Sequence, residues 1–117
     1  MIDALSLTKK LTEIPSWESG NDVVEFLIAM LKEQSVFYRT FEFSGIRNIV
    51  IGKPPFDILL NAHYDTVPPS QDWTLDPFKP KIDGDKLFGL GVTDMKGGLA
   101  AMLVAYLNSN EKSRDGV

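Results

Sequence analysis

The spacing of apolar residues changes twice along this chain of 117 residues, from a helical period to a strand period and back. Apolar residues recur every three or four positions as far as Thr12, and Pro15 then removes a backbone donor and ends the segment. The same spacing returns from Val23 to about Gln34 and again beyond Lys96. We therefore predict three helices, each of which buries one face against the rest of the protein.

Residues with strand propensity occupy the stretch between the second and third predicted helices. Aromatic and β-branched residues alternate with polar ones from Val36 to Phe43, and β-formers continue from Asn48 to Ile51 after a Ser-Gly turn, which predicts a hairpin. The apolar run from Asp57 to Ala62 predicts a buried strand, and shorter strands are expected at 81–82 and 87–88. This order indicates an α/β fold in which a layered, mixed sheet is flanked by helices.

The composition is that of one globular domain, which we expect to span residues 1–117. Hydrophobic residues make up 44% of the chain and charged residues 24%, both ordinary for a soluble protein. The formal charge is −4 and no basic cluster occurs, so nucleic acid is not an expected partner. Because no long apolar stretch and no leader pattern occur, we expect no membrane association and a cytoplasmic location. Without cysteine, any bound metal must use nitrogen and oxygen ligands.

The only histidine of the chain, His63, follows the apolar run directly and precedes a proline-broken loop. Side chains two positions apart on a strand point to the same face, so Asp65 can accept a hydrogen bond from one ring nitrogen of His63 while the other nitrogen stays free. Proteins orient metal-binding histidines in this way. Two plainer readings stay open, namely His63 as a packed or surface residue and Asp65 as a turn former ahead of Val67 and Pro68.

A second polar position, Asp94, lies in the glycine-rich stretch from Gly89 to Gly98, just before the third predicted helix. The positive end of a helix favours an ionised carboxylate, and such a carboxylate can bridge two cations. The alternative is that Asp94 caps the helix. A dinucleotide-binding fingerprint is rejected, because its third glycine would fall at Asp94. We expect Lys96 to be solvated or locally paired, and Trp73 to pin the long loop before the glycines.

Four stretches of the chain, taken in order, form one sequence pattern. They are residues 11–16, 63–69, 73–78 and 89–98. In this order they resemble the two-zinc aminoacylase and carboxypeptidase family of metallopeptidases, of the acetylornithine deacetylase and succinyl-diaminopimelate desuccinylase type. The resemblance implies that His63 binds one zinc, that Asp94 bridges two zincs, and that Asp65 serves catalysis by orienting His63. It also implies cobalt as an alternative metal and a cis peptide bond between Asp94 and Met95. Residues 90–93 depart from the family pattern, which often has Arg-Gly-Ala there.

For function, the resemblance implies hydrolysis of an amide, either removal of an acyl group from an N-acyl diamino acid or cleavage of a short peptide. Family members follow the helix after Asp94 with a strand and a Glu-Glu pair, whose first glutamate is the general base and whose second binds zinc. Because residues 1–117 contain neither that pair nor a lid or dimerisation domain, we expect a partial catalytic domain that binds zinc weakly or not at all and is inactive alone. The alternative is a non-catalytic relic of the fold that acts through self-association, as a homodimer, or through partner binding.

Overall fold

The computed structural model describes every residue of the chain, Met1 to Val117. The helices are α1 (Ala4–Glu13), α2 (Asn21–Glu33), α3 (Gly97–Asn108) and α4 (Glu111–Arg114), and the strands are β1 (Tyr38–Phe43), β2 (Ile46–Ile51), β3 (Lys81–Asp83) and β4 (Lys86–Phe88). A π-helical turn, Val92–Lys96, leads into α3. The three helices predicted from apolar spacing are confirmed as α1, α2 and α3.

Local chemistry explains the limits of the first two helices. The Asp3 carboxylate accepts a hydrogen bond from the backbone N–H of Ser6 at 2.8 Å and so caps the start of α1. Ile14 takes an extended conformation, with φ −101° and ψ 105°, because the residue before a proline is disfavoured in a helix. Gln34 is the C-terminal cap of α2, where the sequence predicted the end of that helix.

The apolar faces of α1, α2 and α3 meet in one core. Its buried members are Leu7, Leu11, Val23, Leu27, Met30, Leu31, Val36, Ala100, Leu103 and Leu107. Thr8 and Thr12 are also buried, and each hydroxyl donates to the backbone oxygen four residues earlier, at 2.7 and 2.8 Å, so neither hydroxyl is left without a partner. None of these helices has both the length and the apolar content needed to cross a bilayer.

The strands form two separate antiparallel pairs. β1 pairs with β2, with Phe43 opposite Ile46, and this confirms the predicted hairpin. Both residues of its turn have positive φ, 51° at Ser44 and 77° at Gly45, as in the two-residue turns that match the twist of paired strands. β3 pairs with β4, which confirms the two short strands.

The segment from Asp57 to Ala62, predicted as a buried strand, has no strand partner. The N–H of Ile58 donates to the Gly116 oxygen at 2.9 Å, but no backbone hydrogen bond joins residues 59–62 to another strand. The apolar side chains are exposed, Ile58 by 57%, Leu59 by 73% and Leu60 by 54%. A strand forms only beside a hydrogen-bonded neighbour, and apolar spacing does not specify that neighbour. The predicted α/β class is confirmed, with two small antiparallel sheets in place of one mixed sheet.

The residues after Asn108 include the short helix α4. Asn110 caps this helix by accepting a hydrogen bond from the Ser113 N–H at 2.8 Å. Arg114 then folds back, and its Nε donates to the backbone oxygen of Tyr106 at 2.9 Å, in the last turn of α3. Because capping hydrogen bonds and not an apolar stripe hold α4, the spacing of apolar residues did not predict it.

Candidate metal centre

His63 and Asp94, 31 residues apart in the chain, meet at one point of the surface. The Nε2 atom of His63 lies 3.0 Å from Oδ1 of Asp94. Both side chains are accessible to solvent, His63 by 46% and Asp94 by 84%. The structure therefore brings the two sequence-predicted ligands within reach of a common ion.

The opposite edge of the His63 ring faces Asp65, as the sequence predicted. Nδ1 of His63 lies 3.1 Å from the Asp65 carboxylate and also 3.1 Å from the Asp65 backbone oxygen. In the protonated ring both nitrogens donate, Nδ1 to Asp65 and Nε2 to Asp94. Loss of the Nε2 proton leaves a lone pair on the ring edge that faces Asp94, where a metal could bind. The predicted contact is confirmed, and the backbone oxygen is an additional acceptor that the sequence did not indicate.

Competing effects act on the protonation of His63. Burial works to lower its pKa, but the hydrogen bond from the ring to the Asp65 backbone oxygen, the hydrogen bond with Asp94, and the charges of both carboxylates together raise the pKa above its ordinary value of 6.5. Below the raised pKa the ring carries a proton on both nitrogens and lies between two carboxylates. A metal ion would have to displace the Nε2 proton, so metal binding at this position depends on pH.

A glycine allows the two ligand-bearing loops to approach each other. Gly91 has φ 81°, a left-handed conformation that side chains rarely adopt, and a Cβ there would lie 2.5 Å from the Thr66 methyl carbon. The Gly91 oxygen accepts from the Lys96 N–H at 2.8 Å and closes the π-helical turn. Asp94 and Met95 lie inside this turn, and the peptide bond between them is cis, as the resemblance implied.

The alternative role for Asp94, as a helix cap, is wrong. The residue that precedes α3 is Lys96, and no side chain caps either α3 or the π-helical turn. The backbone at Asp94 is non-helical, with φ −129° and ψ 93°, because it lies in the bend of the turn. Its carboxylate contacts the His63 ring instead.

The expectation that Lys96 is solvated or locally paired is also wrong, because only 1% of it is exposed and its partners are 82 and 85 residues away in the chain. Its ammonium group donates to the backbone oxygens of Leu11 at 2.8 Å and Ile14 at 2.9 Å, and so ties the π-helical turn to the end of α1. Burial away from water lowers the pKa of Lys96 to about 8. The spacing of residues does indicate that Lys96 is buried. Lys96 lies one helical turn before the buried Ala100 and two turns before the buried Leu103, on the same helix face.

Two further residues hold the His63 loop and were not singled out from the sequence. Ser16 is 2% exposed, and its hydroxyl donates to the backbone oxygen of Tyr64 at 2.7 Å. The sulfur of Met95 accepts a hydrogen bond from the His63 backbone N–H at 3.4 Å. Ser16 lies in one of the four stretches of family resemblance, which was the only signal for it.

A cavity of about 400 Å³ opens beside the two ligands. Its lining residues are His63, Asp65, Thr66, Val67, Trp73, Gly89, Leu90, Gly91, Thr93 and Asp94. Trp73, expected to pin the preceding loop, therefore also forms part of the cavity wall. An aromatic wall opposite polar groups is typical of small-molecule sites.

The donor atoms suit zinc or cobalt, which bind imidazole nitrogen and carboxylate oxygen. Asp65 holds the Nδ1 edge of the His63 ring, so the Nε2 edge faces Asp94, which is the orientation that a metal-ligating histidine needs. A catalytic zinc has three protein ligands, and the structure contains no group of three or more His, Cys, Asp or Glu side chains arranged for a metal. His63 and Asp94 thus fit one part of a metal centre.

Comparison with known proteins shows the family of this chain. The sequence profile of peptidase family M20/M25/M40 matches residues 59–116, the part of the chain that holds both candidate ligands. The chain is 36% identical to a succinyl-diaminopimelate desuccinylase of Wolbachia pipientis subsp. Culex pipiens, over 92% of this chain and 29% of the relative. It is 33% identical to the protein of the same name from Helicobacter pylori, over 96% of this chain and 34% of the relative.

The chain thus spans about a third of the length of the curated relatives that it matches. Within that third, the similarity covers nearly all of the chain, and the resemblance recognised from the four sequence stretches is confirmed. This protein belongs to peptidase family M20/M25/M40.

Proposed function

We propose that residues 1–117 supply two metal-binding groups of a zinc-dependent amidohydrolase, with cobalt as an alternative metal. The observation that carries the proposal is the 3.0 Å contact between His63 Nε2 and Asp94 Oδ1 in a chain of this peptidase family. Imidazole nitrogen and carboxylate oxygen are ligands that zinc prefers. Membership of the family and the exposure of both side chains support this reading over a purely structural ion pair.

In this proposal each of the three site residues has a separate role. His63 would hold one zinc through its ring, Asp94 would be the carboxylate shared by two zincs, and Asp65 keeps the ring hydrogen on Nδ1 so that Nε2 is available. When bound, zinc supplies Lewis acidity towards an amide carbonyl and acidifies water. Asp65 contacts the Nδ1 edge of the His63 ring, so its proposed contribution to catalysis is the orientation of His63.

The proposed substrate is an N-succinyl diamino acid, whose amide is hydrolysed to succinate and a free amine. The support is the name shared by the relatives, succinyl-diaminopimelate desuccinylase. The cavity lining contains two carboxylates and no lysine or arginine. Recognition of the carboxylates of such a substrate therefore requires cationic groups outside this cavity wall. An N-acetyl diamino acid or a short peptide is the next candidate.

We also propose that residues 1–117 by themselves bind zinc weakly and do not hydrolyse amides. A catalytic zinc needs three protein ligands, and only His63 and Asp94 lie together here. Titration with Zn²⁺, followed by NMR of the backbone amides, tests the binding part. Resonances around residues 63 and 94 should shift in the wild type and not in His63→Ala or Asp94→Ala. The exposed Asp72, outside the cavity lining, provides a matched control as Asp72→Ala, which should behave like the wild type.

The proposed role of His63 and Asp94 in amide hydrolysis is tested in a chimera. Residues 1–117 replace the matching third of the Helicobacter pylori relative, and release of succinate from N-succinyl-diaminopimelate is measured with zinc present. Activity that disappears in the His63→Ala and Asp94→Ala chimeras and persists in Asp72→Ala supports the proposal. A folded chimera that binds zinc but hydrolyses neither this substrate nor its N-acetyl analogue would contradict it.

A second candidate function, self-association as a homodimer, is favoured by one observation. Ile58, Leu59 and Leu60 are all more than half exposed, and residues 59–62 make no backbone hydrogen bonds to a strand. An unpaired extended segment with apolar side chains can pair with the same segment of a second copy about a twofold axis. Light scattering should then give a dimer mass that falls to the monomer mass in Leu59→Lys. A monomer mass for the wild type at high concentration would exclude this function.

A further inference from the structure

The end of helix α1 contacts both segments that carry the candidate ligands. From residues 11–16, the hydroxyl of Ser16 donates to the backbone oxygen of Tyr64 at 2.7 Å, and Tyr64 lies between His63 and Asp65. On the other side, the Lys96 ammonium donates to the Leu11 and Ile14 oxygens, at 2.8 and 2.9 Å. One short segment therefore holds two loops that are far apart in sequence.

These contacts are buried, although the ligands themselves are exposed. Ser16 is 2% and Lys96 1% exposed, so water cannot replace a lost partner. Lys96 has no carboxylate partner, and its acceptors are carbonyl groups at the C-terminal end of α1, where a cation is favoured. Through these hydrogen bonds, Lys96 links α1 to the turn that carries Asp94.

Close packing leaves these loops little freedom to move apart or together. A Cβ at Gly89 would lie 2.6 Å from the Thr12 methyl carbon, and a Cβ at Gly91 would lie 2.5 Å from the Thr66 methyl carbon. The glycines thus allow the Asp94 loop to contact α1 on one side and the His63 loop on the other. Closely packed protein interiors transmit small displacements from one contact to the next.

We infer that Ser16 and Lys96 are positioning residues that set the separation of His63 and Asp94, and with it the affinity of this site for zinc. Neither residue touches the two ligand side chains. Each acts through a backbone group one or two residues from a ligand, Ser16 through Tyr64 and Lys96 through its own position after Asp94. The effect on zinc rests on the proposed function, whereas the effect on the His63–Asp94 contact does not.

The test compares Ser16→Ala and Lys96→Met with Thr8→Val in the 117-residue chain. Thr8 is 5% exposed, and its hydroxyl donates to the Ala4 oxygen within α1, so Thr8→Val also removes a buried hydrogen bond but lies outside the segment at residues 11–16. Two quantities are measured by NMR. They are the ¹⁵N chemical shifts of the His63 ring without metal and the dissociation constant for Zn²⁺.

We expect Ser16→Ala and Lys96→Met to change the His63 ring shifts and to weaken zinc binding by about tenfold or more, as loss of residues that support metal ligands generally does. Thr8→Val should leave both quantities unchanged, even if it lowers the thermal midpoint. A purely structural role for Ser16 would lower stability in the same way and would not move the ring shifts.

The two measurements separate the inference from the proposed function. If the wild type binds no zinc, the proposal that residues 1–117 bind zinc by themselves fails, and the metal-free ring shifts still decide the role of Ser16 and Lys96. If Lys96→Met does not fold, Ser16→Ala decides alone. Folded variants with wild-type ring shifts overturn the inference, as do equal changes in Thr8→Val.

Discussion

The hydroxyl of Ser16 donates to the backbone oxygen of Tyr64, 48 residues further along the chain, at 2.7 Å. The end of the first helix thereby holds the loop that presents His63. Lys96 donates to the Leu11 and Ile14 oxygens of the same segment, and both anchoring residues are buried although His63 and Asp94 are exposed. The site is open to solvent, but the groups that position it are not.

Gly91→Ala should destabilise the protein more than Gly84→Ala. Both glycines have positive φ, 81° and 60°, but a Cβ at Gly91 would lie 2.5 Å from the Thr66 methyl carbon and one at Gly84 would contact nothing within 4 Å. We expect a loss in unfolding free energy of about 1–2 kcal/mol for Gly84→Ala and about 3 kcal/mol or more for Gly91→Ala. Urea unfolding measures both, and equal losses would show that the loops do not approach so closely.

The stabilisation that His63 provides without metal should decrease as pH rises. Its folded-state pKa is raised above 6.5, so the charged ring stabilises the folded state fully below pH 6.5, and this contribution is lost as pH rises through the folded-state pKa. The ring is 46% exposed, so the effect should be at most about 1 kcal/mol. The measurement is the difference in unfolding free energy between the wild type and His63→Gln across this range. A difference that does not vary with pH would contradict the prediction.

Zinc binding should show the opposite pH dependence. Zinc and a proton compete for Nε2 of His63, so below the raised pKa of His63 the apparent affinity should fall by about tenfold per pH unit. Asp94→Asn removes a charge and changes the hydrogen bond that helps to raise this pKa. In that variant, zinc should bind more weakly at every pH. The pH above which the affinity stops rising should also be lower, because the pKa of His63 is lower. Chemical-shift titration at several pH values measures both, and a pH-independent affinity would exclude His63 as the ligand.

Leu11→Ala should be far more destabilising than Leu59→Ala. Leu11 is 0% exposed in the core, whereas Leu59 is 73% exposed. Truncation of a buried leucine costs about 2–5 kcal/mol, whereas a change at an exposed position costs about 0.5 kcal/mol or less. Thermal or urea unfolding at low protein concentration gives both values. A large, concentration-dependent loss for Leu59→Ala would instead indicate that self-association buries this side chain.

Much of the local structure followed from residue spacing. The stripes that include Leu11, Leu31 and Leu103 predicted α1, α2 and α3, because helical neighbours lie three and four residues apart and share a face. The hairpin around Ser44 and Gly45 followed from alternation and turn chemistry. The prediction of a buried strand from Asp57 to Ala62 was wrong. Apolar residues indicate that a segment tends to be buried, but they do not specify the neighbouring strand with which it would pair.

The sequence by itself determined the three main helices, the first hairpin, the two short strands, the family, and the types of residue able to hold a metal, because each is encoded in neighbouring positions or in short motifs. Only the tertiary structure decided that His63 lies 3.0 Å from Asp94, that Lys96 is buried against Leu11 and Ile14, and that Ser16 holds the His63 loop. These contacts join residues 31 to 85 positions apart. Their geometry depends on how helices pack and how closely glycine loops approach, which no local pattern of residues specifies.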